Sequence, residues 1–304
     1  MRMNFALCTD DKYVMPAMTC ITSLFENNKK HDCVVTLVTG GLTPGAKERF
    51  IELGRIYNQK VNVVNVDLEK FKDYPTGDYP ISMYLRYLLP EILSSDSTVL
   101  YLDCDIIVRH DLTELFSTDL GGKAAGVVMD QECDDVTNYN RLGLNWDYQY
   151  FNSGVMLFNL DYWREHRIFP KLVDWIRNNP ERCLYPDQDA LNVVLEGKVK
   201  YLSPKFNCQT GFLDLNALSK LHHSKWESIS DSVKKPEIVH FCSWQKPWYE
   251  GINPKYKDEF LKYASMNEIT GFKGCPKYWQ RPCVWDMIIN KACDYLRKLK
   301  LNRK

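Results

Sequence analysis

Two carboxylates lie between two apolar runs in the segment Thr98-Val99-Leu100-Tyr101-Leu102-Asp103-Cys104-Asp105-Ile106-Ile107-Val108. The first run is typical of a buried strand, and residues two apart on an extended chain point to the same side. We therefore expect Asp103 and Asp105 to face one point at the end of that strand. Two carboxylates held this close repel each other unless a cation or a proton intervenes. Divalent metal ions prefer such oxygen ligands, so the segment predicts a metal site, although Asp-x-Asp also occurs in solvated turns.

The sequence before this segment alternates between strand and helix patterns. Apolar or β-branched runs at Asn4 to Thr9, Cys33 to Thr39 and Val61 to Val66 favour buried strands. Helical spacing fills the intervals, and the pattern from Ser82 to Leu93 predicts a helix bent at Pro90. This order predicts an α/β fold with a mostly parallel sheet and helices on both faces.

Acidic pairs follow two of the predicted strands. Asp10 and Asp11 come after the first strand, just as Asp103 and Asp105 come after the strand that ends at Leu102. In open α/β sheets, ligands bind beyond the carboxyl ends of the strands. Both pairs are therefore candidates for a ligand site at one edge of the sheet.

The segment from Pro236 to Trp248 offers two side chains that suit the same site. A short β-like run ends at His240, and Lys246 follows six residues later, next to Pro247. Imidazole completes carboxylate metal sites, and lysine supplies a compact positive charge for a phosphate. The alternative is a histidine that is satisfied within the core and a lysine on the surface.

Two further segments place polar groups beside apolar runs. Asn152-Ser153-Gly154 predicts a small turn that opens a strand, where backbone and amide groups approach a ligand or simply turn the chain. Asp187 and Gln188 precede a predicted helix. Asp187 either caps that helix or lies with Gln188 beside the reacting group of a ligand.

Composition restricts the class of protein. The chain has 304 residues, and Lys+Arg and Asp+Glu both number 39, which argues against a dedicated nucleic-acid-binding protein. Its 11 cysteines form no close Cys-x-x-Cys pair, so we expect reduced thiols rather than a thiolate zinc site. The N-terminal apolar run is too short for a signal peptide, and no apolar stretch reaches the length of a membrane span. We expect a cytoplasmic protein.

The order of these segments resembles glycosyltransferase family 8, and in particular the bacterial lipopolysaccharide galactosyltransferases and glucosyltransferases; glycogenin is a more distant relative. The resemblance covers roughly residues 3 to 265. Each motif is weak alone, and their order makes the match specific. The motifs are Cys8-Thr9-Asp10-Asp11, Arg86, Leu100-Tyr101-Leu102-Asp103-Cys104-Asp105, Phe151-Asn152-Ser153-Gly154-Val155, Asp187-Gln188-Asp189-Ala190-Leu191-Asn192, and His240-Phe241-Cys242 followed by Lys246-Pro247-Trp248.

The resemblance implies a GT-A domain, a Rossmann-like mixed sheet, over residues 1–270. It implies that Asp103, Asp105 and His240 hold Mn²⁺, with Mg²⁺ as the alternative. It also implies transfer of a hexose, galactose or glucose, from a UDP-sugar to a saccharide acceptor of a lipopolysaccharide or other surface glycan. The product would carry an α-linkage, because the family retains the anomeric configuration.

The resemblance also assigns individual residues. Asp187 and Gln188 would be the catalytic residues beside the donor hexose. Lys12 and Ser243 depart from the Asn and Gly that are frequent in the family, so the contacts to uridine and diphosphate are expected to differ there. The donor-binding residues would be Cys8, Asp10, Lys12, Arg86, Asp103, Cys104, Asn152, Ser153, Ser243 and Lys246.

The last segment, residues 271–304, differs from the rest. It contains nine Lys/Arg and two Asp, with apolar positions at near-helical spacing between them. This profile predicts a basic amphipathic helix that contacts anionic lipid, here the cytoplasmic face of an inner membrane that carries the acceptor. The alternative is a helix that packs on the domain and exposes a solvated basic face.

Two other functions fit parts of the sequence. A nucleotidyltransferase that makes the nucleotide-sugar would share the sheet and the metal, but it needs a Gly-rich basic loop after the first strand. Here that loop, Cys8-Thr9-Asp10-Asp11, is acidic. A non-catalytic glycan-binding protein could use the 13% of aromatic residues, but it would not need the metal and phosphate residues.

Overall fold

The computed structural model describes residues 1–77, 79–214, 218–249 and 251–267. Two sheets are formed within them. The strands are β1 (Arg2–Thr9), β2 (Asp32–Thr39), β3 (Lys60–Asn65), β4 (Thr98–Leu102), β5 (Ile106–Val108), β6 (Ala125–Met129), β7 (Phe151–Asn159), β8 (Val199–Tyr201), β9 (Cys208–Gln209) and β10 (Ile238–His240).

Helices follow most of these strands. The α-helices are α1 (Val14–Asn27), α2 (Pro44–Ile56), α3 (Leu89–Ile92), α4 (Thr113–Phe116), α5 (Val136–Leu142), α6 (Leu160–Glu165), α7 (Ile168–Asn178), α8 (Pro186–Val194), α9 (Trp226–Lys234) and α10 (Lys257–Met266). The 3₁₀ helices are Asp11–Tyr13, Leu68–Phe71, Ile81–Leu88, Pro180–Arg182, Pro204–Asn207, Thr210–Leu213 and His223–Lys225.

The main sheet has seven strands in the order β3-β2-β1-β4-β7-β6-β8. Strands β1 to β4 are parallel, while β7 runs antiparallel to both of its neighbours. Burial of both faces explains the long apolar runs, since β2 is buried from Cys33 to Thr39. The predicted α/β class and the strands near residues 4, 33, 61 and 98 are confirmed, with ends that differ by one or two residues.

The predicted helix from Ser82 to Leu93 is wrong in type. The chain forms a 3₁₀ helix over Ile81–Leu88, and α3 then continues to Ile92. Pro90 lies in the first turn of α3, where its missing N–H needs no partner, so it begins a helix rather than bending one. Within the 3₁₀ helix, Arg86 Nε donates to the carbonyl oxygen of Met83 at 3.0 Å, which suits the tighter winding.

The predicted turn at Asn152-Ser153-Gly154 is also wrong, because these residues belong to β7. Asn152 lies opposite Val128 and Met156 lies opposite Val127, so the extra residues of β7 form a bulge. The bulge turns the backbone toward β4, where Asp103 N donates to the carbonyl oxygen of Gly154 at 2.8 Å. Bulges beside active sites commonly redirect side chains in this way.

A three-stranded sheet, β5-β10-β9, adjoins the end of β4. Its register places His240 opposite Ile106, and Phe241 N donates to the carbonyl oxygen of Asp105 at 2.9 Å. A second apolar cluster, which includes Trp248 and Phe260, packs α10 and the preceding loop against this sheet. Residues more than 130 positions apart are thereby brought to the end of β4.

No helix within the described ranges is long and apolar enough to cross a membrane. The predicted tail, residues 271–304, lies outside the described residues, and its structure and the boundary at residue 270 stay predictions. The cysteines that the structure does describe are free thiols. They are Cys8, Cys20, Cys33, Cys104, Cys133, Cys183, Cys208 and Cys242.

Candidate active site

Three predicted metal ligands meet at the end of β4. Asp103, Asp105 and His240 each offer a ligand atom, and these atoms lie within 4.8 Å of one another. His240 Nε2 is 3.3 Å from Asp105 Oδ1 and 3.8 Å from Asp103 Oδ2. The histidine is buried, while the two carboxylates are partly open. The sequence-based grouping of these three residues therefore agrees with the structure.

Each carboxylate uses its two oxygens differently. Asp103 Oδ1 accepts hydrogen bonds from Arg86 at 2.9 Å and from the Tyr101 hydroxyl at 2.7 Å. Asp105 Oδ2 accepts from Lys246 Nζ. The remaining oxygens, Asp103 Oδ2 and Asp105 Oδ1, are those nearest His240 Nε2.

A chain of hydrogen bonds fixes the tautomer of His240. The backbone N–H of Gly154 donates to Asn152 Oδ1, so that atom is an acceptor. Asn207 Nδ2 donates to the same oxygen, which turns Asn207 Oδ1 toward His240 Nδ1 at 3.0 Å. His240 Nδ1 therefore carries a proton, and Nε2 is the atom that faces Asp103 and Asp105. Ordering a metal-binding imidazole through its other nitrogen is typical of metal sites.

The donor set fits a divalent cation. Two carboxylates and a neutral imidazole suit Mn²⁺ or Mg²⁺, and separations of 3.3 and 3.8 Å can be bridged by metal–ligand bonds of about 2.1 Å. Gly154 leaves the space: a Cβ there would lie 2.2 Å from His240 Cε1 and 2.6 Å from Asp103 Oδ2. Glycine is therefore required by close approach, rather than by a turn.

The charges around Asp105 keep it ionised. Burial raises the pKa of Asp105, but the Lys246 ammonium and His240 outweigh burial and hold that pKa well below its usual range. Burial correspondingly lowers the pKa of Lys246, and the charge of Asp105 more than reverses this effect. The pair is a charged carboxylate and a charged ammonium, as their direct contact requires.

Arg86 connects three parts of the site. Its guanidinium is buried and pairs with Asp103 at 2.9 Å and with Asp187 at 3.1 Å. It also donates to the carbonyl oxygen of Ser153 at 2.9 Å and lies 4.3 Å from the centre of the Tyr101 ring. These contacts fix its position firmly, since a planar guanidinium satisfies several acceptors at once.

The two predicted catalytic residues lie on the first turn of α8, beside this arginine. Gln188 Oε1 accepts from the Ser153 N–H at 3.0 Å, so Gln188 Nε2 is the atom that faces Asp130 Oδ2, at 3.1 Å. Asp187 Oδ2 accepts from Ser153 Oγ at 3.2 Å. Burial raises the pKa of Asp187 above its usual value, and Arg86 opposes that rise.

Asp187 does not cap α8, because the N-cap residue is Tyr185, whose side chain makes no capping hydrogen bond. Asp189, one turn into the helix, instead binds the segment that precedes it. The fully buried Asp189 Oδ2 accepts the N–H groups of Leu184 and Tyr185 at 2.8 and 2.7 Å. Arg141 holds the same carboxylate with two bonds of 2.7 and 2.9 Å. This anchor sets the position of α8 and therefore of Gln188.

The other predicted donor-binding residues line the end of β1 and the loop after β10. Cys104 Sγ donates to the carbonyl oxygen of Cys8 at 3.2 Å, which joins β1 to the metal segment. Asp10 Oδ1 accepts the N–H of Lys12 at 2.9 Å, and the Lys12 side chain is exposed. Ser243 Oγ accepts the N–H of Gln245 at 3.2 Å. Burial raises the pKa of the Cys8 thiol to about 12, so this thiol is neutral.

A protein-family model described as glycosyl transferase family 8 matches residues 4–251. The chain belongs to this family. It is similar to general stress protein A of Bacillus subtilis (strain 168), with 28% identity over 88% of this chain and 94% of that protein. It is also similar to a lipopolysaccharide 1,2-glucosyltransferase of Escherichia coli, with 29% identity over 87% of this chain and 78% of that protein.

A crystal structure of galactosyltransferase LgtC in complex with donor and acceptor sugar analogs superimposes with a TM-score of 0.81. The identity is 25%, and the match covers 91% of this chain and 99% of LgtC. The fold of this family 8 glycosyltransferase is therefore the GT-A fold, as the resemblance implied.

Sequence reasoning missed several residues of this glycosyltransferase site. Asp130 follows β6 directly, so the rule that drew attention to Asp103 could have found it. Asn207 lies in a short 3₁₀ helix without any periodic pattern, and no sequence signal marks it. The sequence predicts only a strand residue at Tyr101 and a turn residue at Gly154. In the structure, the Tyr101 hydroxyl donates to Asp103, and a side chain at Gly154 would overlap His240 and Asp103.

Proposed function

We propose that this enzyme transfers a hexose, galactose or glucose, from a UDP-sugar to a saccharide acceptor in a Mn²⁺-dependent reaction that retains the anomeric configuration. The observation that carries the proposal is the group of Asp103, Asp105 and tautomer-fixed His240, with Lys246 beside it. The relatives support the sugar class, since LgtC is a galactosyltransferase and the Escherichia coli protein a glucosyltransferase.

Charge at the site suits departure of a diphosphate. Bound Mn²⁺ would act as a Lewis acid and stabilise the negative charge on the leaving group. The compact ammonium of Lys246 contacts Asp105 in the same site, and Lys246 lies on the loop that follows β10. Positive groups fixed where negative charge develops lower the barrier most when water is excluded.

Gln188 is placed to polarise the sugar rather than to bond to it. Its Oε1 accepts from Ser153 N at 3.0 Å and from Asn152 Nδ2 at 3.3 Å, which occupies both lone pairs. Asp187 is paired with Arg86 and Ser153. Because the Gln188 amide is a poor nucleophile and its oxygen is already hydrogen-bonded, we propose attack from the face that the diphosphate leaves. The acceptor oxygen bonds to the anomeric carbon, the carbon–phosphate-oxygen bond breaks, and the acceptor proton passes to the leaving phosphate.

The first experiment measures UDP release from UDP-galactose, UDP-glucose and UDP-N-acetylglucosamine with Mn²⁺, Mg²⁺ or EDTA. We expect slow hydrolysis of one donor that requires the metal and is lost in Asp103→Asn. Asp119→Asn is the control, because Asp119 is an exposed turn residue that accepts the N–H of Gly121. Turnover that persists in EDTA would contradict the metal-dependent proposal, and a glycosyl adduct trapped on Asp187 would overturn same-face attack.

The acceptor and the cellular location complete the proposal. We propose an acceptor on a lipopolysaccharide or other surface glycan, reached in the cytoplasm with residues 271–304 resting on the inner membrane. Cosedimentation of the full chain with anionic and with zwitterionic vesicles, at low and high salt, tests the membrane contact. Recovery with anionic vesicles that does not exceed recovery without vesicles would exclude the membrane contact. The similarity to glycosyltransferases argues against the nucleotidyltransferase and glycan-binding alternatives.

A further inference from the structure

Lys246 forms an ion pair with Asp105 and neutralises its charge. Its Nζ contacts Asp105 Oδ2 and donates to the carbonyl oxygen of Phe241 at 2.6 Å. The side chains of Lys246 and Asp105 are each 13% exposed, so the pair is largely shielded from water. A second cation entering beside Asp105 is repelled by this ammonium, and repulsion is strong where water is scarce.

The charges of the site indicate when a metal can enter. Three carboxylates, Asp103, Asp105 and Asp187, are paired with two cations, Arg86 and Lys246, so this set has a net charge of −1. When His240 binds a metal through Nε2 it is a neutral imidazole, so it adds no charge to the metal-bound set. A divalent ion alone would reverse the sign of the set. An ion that arrives with a diphosphate, which carries about two negative charges, leaves the net charge unchanged.

Lys246 can leave Asp105 more easily than Arg86 can leave Asp103. It lies on the loop between β10 and α10, and its hydrogen bonds go to one carboxylate oxygen and one carbonyl oxygen. Lysine is a point charge on a flexible stem, so it can turn from a carboxylate to a nearby phosphate without moving the backbone.

We propose that Lys246 is an exchangeable counterion that makes tight binding of the metal conditional on the donor. Paired with Asp105, it opposes binding of a divalent ion alone. When a nucleotide diphosphate is present, the ammonium moves from Asp105 Oδ2 to the phosphates and no longer repels a metal at Asp105 Oδ1. Metal and donor therefore strengthen each other's binding reciprocally. This inference rests on the proposed function, because it takes the diphosphate of the donor as the partner of Lys246.

The test measures Mn²⁺ binding, rather than activity, from the electron paramagnetic resonance signal of free Mn²⁺, with and without UDP. In the wild type, we expect UDP to tighten Mn²⁺ binding about 100-fold. In Lys246→Gln, which keeps a donor for the Phe241 carbonyl, we expect Mn²⁺ alone to bind about 10-fold tighter. The enhancement by UDP should fall to about 10-fold, because the ammonium no longer has to be drawn away.

Lys257→Gln is the matched control. Lys257 Nζ also donates to carbonyl oxygens of the same loop, those of Tyr249 and Ile252, but these are neutral partners. It should bind Mn²⁺ as the wild type does. If Lys246→Gln does not fold, as judged by its thermal melt, Lys246→Met is measured in the same way and must show the same gain.

Two outcomes would be decisive against the inference, and they differ. If the folded Lys246 variant binds Mn²⁺ alone no tighter than the wild type, while the wild type still binds Mn²⁺ with UDP, the counterion role is wrong and the proposed function stands. If the wild type binds Mn²⁺ neither alone nor with UDP, the proposed function fails and the counterion role fails with it.

Discussion

Arg86 and Lys246 pair with neighbouring carboxylates of one site but are held in different ways. Arg86 lies in a buried 3₁₀ helix and bonds Asp103, Asp187, Ser153 and the backbone of its own turn. Lys246 lies on a loop and bonds one carboxylate and one carbonyl oxygen. The difference indicates that one cation is a permanent part of the framework, whereas the other can be exchanged.

The strongest test of this contrast is Arg86→Met, which leaves Asp103 and Asp187 without their cation. Removing one partner of a buried ion pair typically costs 3–5 kcal/mol, and we expect roughly 3 kcal/mol of lost unfolding free energy, measured by urea denaturation. Arg55→Met is the control, because Arg55 pairs with Glu48 and Glu52 on the surface. The unfolding free energy of this variant should stay unchanged. A small loss in Arg86→Met would show that Arg86 is as dispensable as a surface residue.

Gly154→Ala tests the fixed half of the site without changing any charge. The new Cβ would overlap His240 and Asp103, so the imidazole and the carboxylate must move apart. We expect Mn²⁺ affinity in the presence of UDP to fall roughly 10–100-fold, the range found when the support of metal ligands is disturbed. Isothermal titration calorimetry measures it. Gly45→Ala is the control, since a Cβ at Gly45 would have no neighbour within 4 Å. Unchanged affinity would show that His240 does not need its observed position.

The strands of the main sheet were more predictable from sequence than the residues that hold the site in place. Buried parallel strands have continuous apolar runs, so β1, β2 and β4 could be located within two residues. Asp103 and Asp105 follow such a run, so their position at the end of β4 was predictable. The bulge in β7 was not, because the Asn-Ser-Gly composition that suggests a turn is also suited to a strand that must pass close to His240.

The hydrogen bonds that orient His240 were beyond sequence reasoning for a different reason. Asn207 reaches His240 only because β9 pairs with β10, and two- and three-residue strands leave no periodic signal. The pairing of Asp105 with Lys246 likewise joins residues 141 positions apart. The resemblance to the family supplied the proposed roles of His240 and Lys246, but not the contacts that fix them.

Asp130 extends the comparison to a carboxylate held by neutral amides. It accepts from Asn152 Nδ2 at 3.0 Å and from Gln188 Nε2 at 3.1 Å. The other oxygen, Asp130 Oδ1, accepts the N–H of Glu132 at 2.8 Å. In Asp130→Asn the new NH₂ group must therefore face either the two amides or that N–H, a mismatch of about 1–3 kcal/mol. We expect Gln188 to lose its orientation and kcat to fall roughly 10–100-fold. Mn²⁺ and UDP affinities should stay within about twofold, because Gly154 N–H and Asn207 still hold Asn152 Oδ1 and with it the orientation of His240.

Steady-state kinetics with the preferred donor measure this effect, and titration calorimetry measures the two affinities. Asp134→Asn is the control, because Asp134 accepts from the N–H of His222 and pairs with Lys225, away from Gln188. A variant of Asp130 that loses Mn²⁺ affinity along with kcat would place Asp130 in the support of the metal instead.

The smallest expected effect is a change in acid stability without metal. The folded-state pKa of Asp105 lies below its usual value near 3.8, so its stabilising contribution is complete above that value and is lost as the pH falls through the folded-state pKa. Because Lys246 is the leading cause of the lowering, Lys246→Gln should lose less unfolding free energy than the wild type between about pH 4 and pH 2, by about 1 kcal/mol.

Urea denaturation in EDTA measures the difference, with Lys257→Gln as the control. Asp111 also has a lowered pKa, but its contribution is common to all three proteins and cancels. Parallel pH curves for the wild type and Lys246→Gln would show that the Asp105–Lys246 pair is too weak to act as a counterion at all, and the contrast with Arg86 would then be one of packing rather than of charge.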